Sequence, residues 1–119
     1  MTQNRIWIEN GYYHLYNRGN HKENIFQKDA DYRFYLQKLK KYKKKSHVNI
    51  FAYCLMPNHI HILCQSADPK NISKMMHCLQ LSYTAYFNEH YEKVGHLWQG
   101  RFKSKLITNE KYFSDCIIS

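Results

Sequence analysis

The sequence predicts an α+β fold of the ferredoxin-like, split-βαβ kind, an antiparallel sheet with helices packed on one face. Three observations predict it. A hairpin signal lies near the middle of the chain, at Met56-Pro57-Asn58. An apolar stripe of helical period stands on each side of that hairpin. Beyond each stripe lies a short stretch with strand character. Read in order, the elements run strand, helix, strand, strand, helix, strand, helix, and the 119 residues form one domain, 1–119.

Residues 12–16, Tyr-Tyr-His-Leu-Tyr, read as an aromatic strand. It runs into Asn17-Arg18-Gly19-Asn20, a turn in which Gly19 is expected to supply an unusual φ. Arg18, His21 and Lys22 then stand at a strand end, where a phosphate could be held; an ordinary surface loop is the competing reading. Asp29 is the expected cap of a first helix carrying Tyr32, Tyr35, Leu36, Leu39 and Tyr42 on one stripe. Its other face holds Arg33, Lys38, Lys40, Lys41 and Lys44.

In the hairpin, residues 47–55 and 59–65 are rich in β-branched and aromatic side chains, and Pro57-Asn58 supplies the turn. Asp68 and Pro69 open a second helix whose stripe is Ile72, Met75, Met76, Leu79, Tyr83, Tyr86 and Phe87. Methionines at that spacing read as core. After a loop over 88–95, residues 101–107 form the last strand, with Arg101, Lys103 and Lys105 on one face. Thr108 or Asn109 would cap a third helix bearing Tyr112, Phe113, Cys116 and Ile117.

The formal charge of +9 and a pI near 9.4 come with 11 tyrosines, 6 phenylalanines and 2 tryptophans. Lysines that track phosphates and rings that stack on bases suit single-stranded nucleic acid. Part of the charge, as over 38–45, also reads as a solvated helix face. The four cysteines are scattered, without metal-finger spacing, and read as reduced, mostly buried thiols. No signal peptide or membrane span is visible, so a cytoplasmic location is expected.

His59 and His61 alternate with Ile60 and Ile62, so both imidazoles project from one strand face. Two neighbouring imidazoles form half of a metal site, or simply meet water or the core. The residues leave both readings open.

Three segments carry a resemblance. They are Tyr16-Asn17-Arg18-Gly19-Asn20 with Ile25-Phe26, Tyr53-Cys54-Leu55-Met56-Pro57-Asn58-His59-Ile60-His61, and Gly95-His96-Leu97-Trp98-Gln99-Gly100-Arg101-Phe102-Lys103-Ser104. In this order they resemble the HUH-type single-tyrosine transposases, in particular the REP-associated tyrosine transposases, over nearly the whole chain. The resemblance implies that His59 and His61 hold a divalent ion, Mg²⁺ or Mn²⁺. It implies single-stranded or hairpin DNA as partner, with a homodimer also allowed for and no membrane. A tyrosine on the last helix would attack a phosphodiester and stay joined to the 5′ end. Asn17, Arg18, Lys22, Arg101, Lys103 and Lys105 are the expected DNA contacts. In the family the nucleophile would fall just beyond Ser119, where the helix stripe is still running. Tyr112, the lone tyrosine of this helix, matches a position near the helix start and is the remaining catalytic candidate. The expectation is a chain that binds DNA and lacks its attacking group. Two other classes compete. One is a non-catalytic nucleic-acid module stacking bases on Tyr12, Tyr16 and Tyr53; the other is a metal-dependent phosphodiesterase that uses water.

Overall fold

A computed structural model describes residues 7–109 and 111. Four strands and two long helices appear in the expected order: β1 (Tyr12–Arg18), α1 (Asp29–Lys45), β2 (Asn49–Met56), β3 (His59–Gln65), α2 (Pro69–His90) and β4 (Lys103–Leu106). The sheet order is β2-β3-β1-β4, with every neighbouring pair antiparallel. This is the α+β, ferredoxin-like arrangement that the residue pattern predicts.

Register decides what each face does. Leu15 lies opposite Ile62 and Asn17 opposite Ile60, while Tyr16 lies opposite His61 and Arg18 opposite His59. Partners across a ladder share a face. The first set turns towards the helices and the second away from them. Ile60 and Ile62 are fully buried, as the alternation requires. Against them pack Ile72, Met75, Met76, Leu79 and Tyr83 of α2, with Tyr35 and Leu39 of α1. Each such side chain stabilises the fold by roughly 1.5–3 kcal/mol on burial. Phe34 of α1 stacks on Tyr86 of α2 at 4.0 Å between centroids, closing the helix pair.

Helix α2 begins as its sequence dictates. Asp68 caps it, accepting from the Lys70 amide at 2.9 Å, and Pro69 occupies the first turn. Helix α1 differs from expectation. Its cap position is Lys28, Asp29 is already helical, and the carboxylate that serves the helix end is Asp31, one turn in. Asp31 accepts from the amides of Gln27 and Lys28. The competing choice was invisible from spacing, because Asp29 and Asp31 differ only in which reaches back.

Three further expectations change. Gly19 has φ −65°, an ordinary value; positive φ falls instead on His21 and Lys22, in the short 3-10 turn Asn20–Lys22. Glycine is needed at 19 for space, since a Cβ there would lie 2.3 Å from the Glu23 carbonyl oxygen. Strand β4 starts at Lys103, because Gly100 turns the chain with φ +74°. Strand β2 carries a bulge between Ile50 and Ala52. Cys64 is buried, and burial pushes its thiol up to about 12, whereas Cys54 is exposed. Among the described residues no helix is long and apolar enough to cross a membrane. Tyr112, Phe113, Cys116 and Ile117 lie outside the described residues.

Candidate nucleic-acid interface

The sheet face turned away from the helices collects β1's Tyr12, His14, Tyr16 and Arg18, β3's His59 and His61, and β4's Lys103 and Lys105, each placed by the ladder register. At its end lies a cleft of about 550 Å³, lined by Tyr16, Asn17, Arg18, Lys22, Asn58, His59, His61, Gln99 and Lys103. Among the described residues no carboxylate lines it. Lys105 also stands over the Tyr16 ring, with Nζ 5.9 Å from the centroid.

Three chain segments far apart in sequence build this cleft, and main-chain hydrogen bonds join them. The Gly19 amide donates to the Asn58 carbonyl (2.9 Å), and the Asn20 amide to that of Leu97 (2.8 Å). The Gln99 amide donates to the Arg18 carbonyl (2.9 Å), and that of Ile25 to Pro57 (2.7 Å). Arg18 Nε donates to the Gln99 side chain. Asn17 is only 5% exposed. Its Nδ2 donates to Gln80 Oε1 at 2.9 Å and to the Gly100 carbonyl at 3.2 Å, and its Oδ1 accepts from the Arg18 amide. Asn17 therefore positions the cleft wall, with its polar groups already engaged inside the chain.

The histidines form a contiguous group. His14 Nε2 and His61 Nδ1 are 2.8 Å apart, so one of the two carries the shared proton. His59 Nδ1 faces Asn58 Oδ1 at 2.8 Å. Burial, then the neighbouring His61 and Lys105, brings His14 down to about 4. Burial and the His59 imidazole lower His61 as well. His14 is thus neutral at pH 7 and adds nothing to the charge of Arg18, Lys103 and Lys105 on this face.

The expected Mg²⁺ or Mn²⁺ centre is corrected here. His59 and His61 do share the open face, but their rings stand at 87° with centroids 5.1 Å apart. Each has one nitrogen engaged, with Asn58 and His14 respectively. Among the described residues no group of three or more His, Cys, Asp or Glu is arranged to hold a metal ion.

Other expected residues divide. Arg18, Lys22 and Lys103 meet at the cleft. Lys105 flanks it. Arg101 does not join them, because strand alternation begins only at Lys103; it lines a separate depression beside α2 with Lys74 and His77. Tyr53 pairs with Ile62 and so faces the helix side at the edge of β2. In its place Phe51, at the bulge, stacks on Tyr12 with centroids 5.4 Å apart. His14, Asn58 and Gln99 were not singled out by sequence. His14 was legible in principle, since it alternates with Tyr12 and Tyr16.

The chain matches, over residues 8–115, the family described as IS200-like transposases. Among solved structures, a REP-associated tyrosine transposase bound to a REP hairpin superposes with TM-score 0.77 at 19% identity, over 98% of this chain and 68% of that one. A candidate transposase from Deinococcus radiodurans R1 superposes with TM-score 0.67 at 14% identity, over 98% of this chain and 92% of that one. Identities this low show a shared fold. No curated protein sequence matches the chain.

Proposed function

This chain belongs to the IS200-like transposase family, and on that premise we propose that its open sheet face binds single-stranded or hairpin DNA. The observation that carries the proposal is the cleft, where cationic and aromatic side chains converge and, among the described residues, no carboxylate joins them. Arg18, Lys22, Lys103 and Lys105 would take phosphates. Tyr16 offers a ring on which a base can stack. Asn17 holds the wall that presents these side chains. This is a binding role.

The test is titration of a labelled DNA hairpin across salt concentrations. With about five phosphates contacted, log K against log salt should slope at about −3 to −4. Lys103→Ala with Lys105→Ala should bring the slope to about −2 and weaken binding about tenfold. A flat salt response in the unaltered chain would sink the reading.

Strand cleavage is the second reading, and family membership favours it. A tyrosine hydroxyl would attack a phosphodiester and remain joined to the 5′ end while the 3′ oxygen leaves. Tyr112 is the candidate in this chain. The measurement is covalent trapping of a labelled DNA strand by the chain and by Tyr112→Phe. An adduct that vanishes in Tyr112→Phe would make cleavage the main function.

A further inference from the structure

The displacement of Arg101 from the sheet face creates a second electropositive feature. Arg101 lines a depression of about 350 Å³ together with Ser73, Lys74, His77 and Gln80 of α2 and with Phe102. Lys74 and His77 are three residues apart, and Ser73, His77 and Gln80 follow at four and three, so all four lie on one helix face. Among the described residues no carboxylate lines the depression. Two cationic side chains, an imidazole, a hydroxyl and an amide around one hollow are donors arranged for an oxyanion.

The wall between this depression and the cleft is thin and built. The Asn17 amide donates both to Gln80, on the depression side, and to the Gly100 carbonyl at the crest. Gln99 lines the cleft and Arg101 the depression, so Gly100 is the ridge between them. Among the described residues, a Cβ at Gly100 would meet nothing within 4 Å, which leaves room for a ligand to cross the crest. Two residues of chain span at most about 7 Å. That equals about two rises along one DNA strand.

We propose that the depression lined by Lys74, His77 and Arg101 is a second phosphate-binding subsite, taking a phosphodiester of the DNA strand that crosses the Gly100 ridge from the sheet-face cleft. The inference rests on the DNA-binding reading above and extends the footprint from the sheet to the helical layer. It gives Arg101 a phosphate contact, but on the opposite side of the ridge from Lys103.

The experiment is a scan of the hairpin and its single-stranded arms with methylphosphonate, which removes one phosphate charge at a time. Binding is measured for the unaltered chain, for Lys103→Ala, and for Lys74→Ala with Arg101→Ala. All three side chains are exposed, so melting temperatures should agree, and they are recorded as a control. One phosphate position should cost the unaltered chain about threefold to fivefold when neutralised and cost the Lys74/Arg101 variant nothing. That position should still respond in Lys103→Ala. The Lys74/Arg101 variant should also lose about 1 to 1.5 from the salt slope. The subsite is refuted if that variant keeps full affinity, slope and phosphate profile while Lys103→Ala weakens binding. Absence of any binding by the unaltered chain would instead refute the sheet-face reading, and the subsite with it.

Discussion

An Asp31→Ala variant is expected to lose about 3 to 4 kcal/mol of folding stability, because four donors lose the one buried, charged acceptor they share. Asp31 is fully buried at the first turn of α1. Its carboxylate accepts from the amides of Gln27 (2.9 Å) and Lys28 (3.2 Å) and from the hydroxyls of Tyr86 (2.7 Å) and Tyr91. It therefore joins the start of α1 to the end of α2. Burial, followed by the bond to Asp31, pushes the Tyr86 hydroxyl up to about 12. A loss of that size lowers Tm by about 10 to 15 °C in a domain this long.

The pH dependence follows from the same contacts. Burial works to raise the Asp31 carboxyl, but hydrogen bonds from Tyr91, Gln27, Tyr86 and Lys28 prevail and hold it below its usual range. A group lowered on folding contributes stability that is fully present above its unfolded pKa of about 4, and loses it as pH falls through the folded value. The gap between the unaltered chain and Asp31→Asn should be constant from pH 7 to about pH 5 and shrink below about pH 4. Urea unfolding at several pH values reads this directly. A gap that widened in acid would refute the account.

Gly19→Ala is expected to weaken hairpin binding by more than tenfold and to cost about 2 to 3 kcal/mol of stability. At φ −65° alanine is compatible with the backbone, and on conformational grounds alone it would stabilise by about 0.4–1 kcal/mol. Space decides otherwise. The new Cβ would meet the Glu23 carbonyl oxygen at 2.3 Å and Ile25 Cγ2 at 3.0 Å, and a backbone atom cannot rotate away. The segment must shift, carrying Arg18 and Lys22 out of the cleft and straining the bond from Gly19 to Asn58. Affinity should be measured below the variant's melting temperature, so that both chains are folded. A more stable variant with full affinity would mean that the turn yields freely.

The fold was legible because its periodicities were clean. Ile60 and Ile62 against His59 and His61, and the stripe from Ile72 to Phe87, each admit one arrangement. Asp68 before Pro69 marked the start of α2 with equal clarity. What stayed hidden depends on the chain meeting itself. The bulge near Phe51 turned Tyr53 to the other face, and nothing in the local pattern records an extra residue in a ladder. Gly100 ended the alternation that would have put Arg101 beside Lys103. The contact of His14 with His61 links residues 47 apart, and it takes up a nitrogen that the paired spacing offered to a metal. At the cleft, residue types pointed to segments that the fold brings together, while tertiary hydrogen bonds set what each side chain is left to do.

The junction of the three cleft-forming segments is made of peptide groups: Gly19 to Asn58, Asn20 to Leu97, Gln99 to Arg18, and Ile25 to Pro57. Main-chain bonds are indifferent to the side chains they carry. Apart from Gly19, fixed by space, Asn17, fixed by its amide, and Ile25 and Leu97, fixed by burial in the core, the residues at this junction are free to drift without dismantling it. Arg18, Asn58 and Gln99 can then be exchanged for other side chains at little cost in folding, each exchange presenting a new pattern of donors to the same cleft. On the DNA-binding reading proposed above, descendants of such a chain can acquire new DNA preferences by single substitutions, because the architecture that holds the ligand and the groups that read it are separately encoded.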